Sequence, residues 1–145
     1  MSATAALAAA LIFLWLGIVL AISFIEAPLK FRAPGVTLPI GLGIGRLVFR
    51  AVNGVEVVLA LVIGVALAVT GAGSAVFIAF SCAAVAMAAQ LLAVRPALTK
   101  RSDAVLAAGP DAENLPRSQA HFGYVGLELV KVIALITAGT VLLAG

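Results

Sequence analysis

The polar positions along this chain are few, and their spacing is more telling than their number. Four long apolar stretches, at about residues 3–25, 48–71, 73–94 and 121–143, are separated by short segments that carry nearly all the charge. Each stretch is near the roughly 20 residues an α-helix needs to cross the hydrocarbon core of a bilayer. The pattern predicts an all-α, polytopic four-helix transmembrane bundle forming one integral membrane domain over residues 1–145. The first stretch lacks a basic leader, and its apolar run exceeds the usual ~7–15 residues of a signal peptide, so it is read as a retained helix.

Composition points the same way. Of the 145 residues, 64% are hydrophobic and only 10% charged, with mean hydropathy +1.26. A soluble domain has about 25% charged residues, so the partner of these apolar faces is the lipid bilayer. The single cysteine, Cys82, has no second thiol to pair with and reads as a small packing residue. A pI near 9.6 raises nucleic acid as a partner. The basic residues flank apolar runs, however, and form no solvated stripe with interleaved aromatics, so no nucleic-acid binding is expected.

Those basic residues instead set an orientation. The two charged connections, 26–47 and 95–120, together with the helix ends hold Lys30, Arg32, Arg46, Arg50, Arg95, Lys100, Arg101 and Arg117, whereas the turn "TGAGS" and both termini hold no Lys or Arg. Positive residues stay cytoplasmic. The expectation is a multi-pass protein of the plasma or inner membrane with both termini on the non-cytoplasmic side. The stretch "APGVTLPIGLGIG" within the first connection carries no charge and reads as a non-helical loop in the interface or dipping toward the bundle. Its glycines at 41, 43 and 45 lack the strand–turn–helix setting of a phosphate-binding loop.

The halves also echo each other. Pro28 and Pro96 each close an odd-numbered span and precede Lys and Arg, and aligning Glu56 with Glu128 lays "NGVEVVLAL" over "VGLELVKVI". The fold is read as a possible duplication of a two-helix hairpin, both copies inserted the same way.

Charge inside the spans is the main functional clue. Glu128 and Lys131 sit within the fourth span, where a central charge costs about 2.5–3.5 kcal/mol on an insertion scale, against about 0.3–0.6 gained per Leu, Ile or Val. Two features lower that cost: a pair three residues apart shares a helix face, and a lysine can snorkel. Arg46, Arg50, Asn53 and Glu56 recur at spacings of four, three and three, and His121, Tyr124, Glu128 and Lys131 at three, four and three. Glu26 ends the first span, and Gln90 and then Arg95 end the third. All four helices thus bring polar groups to one half of the bundle. Such residues face a bundle interior or wet cavity and often mark a site, although an ion-pair network that sets helix registry would give the same pattern. His121 has no second His or Cys in support, so no zinc or copper site, and no cofactor, is expected. Runs of small residues such as "AALAAAL" and "SCAAVAMAAQ" favour close helix packing, within the bundle or between protomers of a homo-oligomer or another membrane protein.

Two resemblances follow from these residues. "WLGIVLAISFIEAPLKF", "VRPALTKR" and "RSQAHFGYVGLE" resemble a broad group of four-span membrane proteins with Trp-Leu-Gly in the first helix, Pro-x-x-Phe at its exit, Arg-Pro after the third and a His opening the fourth. Here these are Trp15, Leu16, Gly17, Pro28, Phe31, Arg95, Pro96 and His121. The resemblance implies an architecture and no reaction. "RLVFRAVNGVE" is similar to the Arg-x-x-x-Asn-x-x-Glu stretch of the MAPEG glutathione-dependent proteins, with Asn53 and Glu56 at the family's separation and Arg50 one residue closer than the motif places it. That resemblance implies that Asn and Glu hold the tripeptide's polar ends while an Arg stabilises its thiolate.

Three functions are therefore open. The first is a non-enzymatic protein that binds or moves a small polar or protonated ligand, with Glu56, Glu128, Lys131, Arg46 and Arg50 supplying charge and Asn53, Gln90 and Tyr124 hydrogen bonds. Protonation of Glu128 or Glu56 would couple such movement to pH. The second is a structural or accessory subunit whose charges hold the bundle together, and the third is a glutathione enzyme.

Overall fold

The computed structural model describes residues 1–115 and 119–145, with the side chains of 112–114 outside the description. Four helical runs dominate it: α1 (Ala3–Arg32), α2 (Leu38–Thr70), α3 (Ser74–Asp111) and α4 (Gln119–Ala144). All four are long and apolar enough to cross a membrane, and only 28–33% of the residues in each apolar window are buried. Leu61, Val65, Val69, Ile78, Val85 and Ile133 point outward. A bundle with that much apolar surface facing out is a small multi-pass membrane protein, because water would not tolerate it.

The runs extend beyond the expected spans at the Lys/Arg-rich end. The stretch expected as a non-helical loop is helical from Leu38. Thr37 caps it, accepting from the Ile40 backbone N–H at 3.4 Å, and Pro39 occupies the first turn, where a missing N–H costs nothing. Its glycines are tolerated because two of them receive neighbours. A Cβ on Gly41 would meet the Phe31 ring, and one on Gly45 would lie 3.0 Å from the Lys30 ammonium. That close approach offsets the roughly 1 kcal/mol that glycine costs a helix. The 33 residues of α2 give a rod of about 50 Å at 1.5 Å per residue, well beyond a ~30 Å hydrocarbon core. The second connection is helical as well over Arg95–Ala108, ending at Gly109 with φ 56°. This segment packs back on α2, burying Ser102 and Val105. Arg117 lies outside the described residues.

Both odd-numbered helices widen just before their proline. Leu20–Glu26 and Gln90–Val94 are π-helical, with the Ala27 N–H donating to the Ile22 carbonyl and the Arg95 N–H to the Gln90 carbonyl. A proline has no N–H and its ring collides with the carbonyl four residues earlier. Shifting the bonds to five-residue steps makes room for Pro28 and Pro96, so neither helix breaks.

Among the described elements, α3 and α4 pack most extensively, and α1 packs on both α2 and α4. The apolar core runs through Ile12, Trp15, Val19, Ile63, Leu67, Ala83, Leu135 and Ala138. Many of the small residues are buried there, including Ala8, Ala9, Ala79, Ala86 and Ala134, which is where helices come closest. Cys82 does not pack inside. It is exposed on the outward face of α3, because the inward-facing stripe of that helix falls on Ala79, Ala83, Ala86 and Gln90.

Candidate functional site

Lysine 131 is the centre of the site. It is wholly buried, and its ammonium has three oxygens around it: Glu56 Oε1 at 2.5 Å, Gln90 Oε1 at 2.8 Å and Glu128 Oε1 at 3.1 Å. It hydrogen-bonds Glu56 on α2 and Gln90 on α3 and is ion-paired with Glu128 on its own helix. Snorkelling is not how this lysine is accommodated.

The carboxylates complete the network. Glu56 Oε1 also accepts from the Trp15 indole at 2.8 Å. Gln90 Nε2 donates to Glu128 Oε1 at 2.9 Å and to the Tyr124 carbonyl at 3.3 Å. Its side-chain amide therefore serves Lys131 with its oxygen and Glu128 with its nitrogen, which holds α3 and α4 in one register. All four helices contribute, and Glu56 and Glu128 are only 1% and 2% exposed. In depth, Trp15, Glu56, Gln90 and Lys131 lie about 18–24 Å from the ends of their helices opposite the basic end, at 1.5 Å per residue. That level is within the membrane and nearer the basic side.

Two features keep the network from closing on itself. Two carboxylates face a single ammonium, so the cluster carries one more acidic group than basic. Glu128 Oε2 and Asn53 Nδ2 are both buried without a hydrogen-bond partner among the described residues. A carboxylate oxygen without a donor in so dry a place is costly, and it is open to a proton or another small donor.

The remaining candidates fall into other roles. Asn53 and Tyr124 are buried, one helical turn before Glu56 and Glu128 respectively, and the Tyr124 ring meets Phe49 edge-on with centroids 5.6 Å apart. Arg46 is not in the site. It is an exposed residue paired with Asp103 at 2.8 Å, joining α2 to the Arg95–Ala108 segment. Arg50 and His121 are exposed, Arg95 is half-buried, and the His121 ring lies against Phe122. Glu26 belongs to a separate pair with Lys30 at 3.5 Å, and the Lys30 ammonium lies 5.3 Å from the centre of the Phe49 ring. Sequence reasoning missed Trp15 as a donor. The available signal was an indole N–H near the middle of an apolar helix, since tryptophans in membrane proteins favour the interface and a buried one needs an acceptor.

Fold and site together define a four-helix membrane bundle with an intramembrane acid–lysine cluster. No protein-family model, characterised protein or solved structure matches the chain.

Proposed function

We propose that this is a membrane protein, oriented with its basic end in the cytoplasm, that binds a proton in the Glu56–Lys131–Glu128 cluster and through it binds or moves a small polar or protonated ligand. One observation carries the reading: two carboxylates, each all but fully buried, share one ammonium. A net charge held in low dielectric is expensive. One proton brings the cluster to neutrality, and ionisable groups placed this way are typical of proton and substrate pathways in membranes. Glu128 is taken as the acceptor, because its Oε2 is fully buried and has no hydrogen-bond partner among the described residues.

The test is thermal stability of detergent-purified protein over a pH series, native chain against Glu128→Gln, with small polar ligands and glutathione added in turn. A ligand that raises the melting temperature of the native chain and not of the variant supports the reading. A variant that melts no differently from the native chain at any pH, with no ligand acting on either, removes it. A second reading has its own observation in favour: the Lys131 ammonium is held within the chain by two hydrogen bonds and an ion pair. A purely structural network predicts that Glu128→Gln melts earlier and that no ligand shifts either protein.

A further inference from the structure

Two side-chain contacts bridge α2 and α4, whose backbones do not pack closely. Phe49 meets Tyr124, and Glu56 meets Lys131. The second pair is 75 residues apart in sequence, and so is the first, since 124 − 49 = 75. The two helices are separated by one antiparallel helix and run parallel, so this constant offset is a register. Applied to Asn53, it gives 53 + 75 = 128. Asn53 lies between Phe49 and Glu56 at spacings of four and three, and Glu128 lies between Tyr124 and Lys131 at the same spacings.

This level differs from the two around it. At 49 and 124 rings touch, and at 56 and 131 charges pair. At 53 and 128 the register sets an amide donor against a carboxylate acceptor, and both Asn53 Nδ2 and Glu128 Oε2 lack a partner among the described residues. Asn53 is 4% exposed and Glu128 2%. Left so, each atom forgoes a hydrogen bond at a cost that proteins rarely accept. Buried waters occupy such places, making two to four bonds to otherwise unsatisfied groups. The Tyr124 hydroxyl, one helical turn before Glu128 on the same helix, offers a third.

We infer that Asn53 and Glu128 hold between them one small neutral molecule of water's size, which accepts from the Asn53 amide and donates to Glu128 Oε2. Its role rests on the proton-binding reading above: it is the last carrier on the way to the cluster. A hydronium arriving from the basic end breaks one O–H bond as Glu128 Oε2 forms one, which leaves a neutral carboxyl and a water. The return step reverses this, and no electrons are exchanged. Glu128 is ion-paired with Lys131 on its own helix, which also holds Glu56 of α2; Tyr124 lies one turn before it and is acted on by Arg95 of α3, whereas α1 presents the neutral Trp15 indole to Glu56.

The chain has only two asparagines, Asn53 and Asn114, so side-chain 15N labelling of asparagine gives two amide signals in solid-state NMR of the native protein in lipid bilayers. Asn53→Leu assigns them by removing one. The expected result is magnetisation transfer from water to the Asn53 side-chain amide despite its burial. Absence of that transfer overturns the inference. Infrared spectra on acidification, native minus Glu128→Gln, test the underlying reading separately through the carboxylic-acid C=O stretch. Water transfer with no such band overturns the carrier role and the proton reading while leaving the bound molecule. The band with no water transfer leaves the proton reading and overturns the bound molecule. With both present, Asn53→Leu is expected to slow deuteration of the Glu128 carboxyl, and an unchanged rate overturns the carrier role.

Discussion

The hairpins α1–α2 and α3–α4 place a glutamate in their second helix, Glu56 and Glu128, and surround it differently. Glu56 receives an indole N–H from the first helix of its own hairpin and the ammonium from the other hairpin. Glu128 receives a side-chain amide from the first helix of its hairpin, and the lysine one turn along its own helix at a longer distance. The first hairpin has Leu59 three residues after its glutamate where the second has Lys131. A single lysine thus serves both halves, and in the half that supplies it a fully buried carboxylate oxygen, Glu128 Oε2, has no hydrogen-bond partner among the described residues. Two similar hairpins need only one such difference to yield an asymmetric centre, in which the ammonium is hydrogen-bonded to Glu56 and only ion-paired with Glu128.

The largest way to break this arrangement is Lys131→Met. It leaves two buried carboxylates uncompensated, and removing one partner of a buried pair costs about 3–5 kcal/mol. A denaturant titration in detergent should show that loss, and adding Glu56→Gln and Glu128→Gln to the same chain should restore a substantial part of it. Trp15→Phe is next. It keeps most of the ring in the core but removes the indole bond to Glu56, and a hydrogen bond to a charged group is worth about 1.5–3 kcal/mol. Full native stability in that variant would mean that Glu56 is held by Lys131 alone.

Glu128→Gln sharpens the comparison and should be milder than Glu56→Gln. Glu56 holds Lys131 by a hydrogen bond at 2.5 Å and the Trp15 indole at 2.8 Å, whereas Glu128 is hydrogen-bonded by Gln90 and only ion-paired with Lys131 at 3.1 Å. The difference should amount to about 1 kcal/mol, on the scale of one net hydrogen bond, read as a gap between the two unfolding midpoints. Equal effects would make the centre symmetric. The smallest effect belongs to Arg46→Ala at the basic end. Its pair with Asp103 is exposed, so about 0.2–1 kcal/mol is expected and should fade as salt is raised.

The four crossings were legible because lipid imposes a length and an apolar character on any helix that spans it, and the chain shows both four times. The two polar stripes were legible from helical spacing. Arg46 and Arg50 lay on one of those stripes without belonging to the site. Periodicity assigns a helix face, and a face that leaves the membrane meets water where it is not covered. The helical character of Leu38–Gly45 was hidden for a different reason. Glycine weighs against a helix locally, and only the insertion of Phe31 and Lys30 against Gly41 and Gly45 makes glycine the residue that fits. Trp15 was hidden among apolar neighbours because its one polar atom matters only where an acceptor from another helix reaches it.

What the sequence determined by itself was therefore what depends on the chain and its solvent: the all-α class, the four spans and the level at which charge is buried. What only the tertiary structure decided was pairing, namely that Lys131 bridges Glu56 and Gln90 from two other helices, that Trp15 joins them, and that Asn53 Nδ2 and Glu128 Oε2 are each buried without a partner among the described residues. Hydrophobicity and helical period act along one segment and can be read from it. A hydrogen bond inside a bundle depends on the register of two helices, which their packing sets and neither sequence segment carries alone.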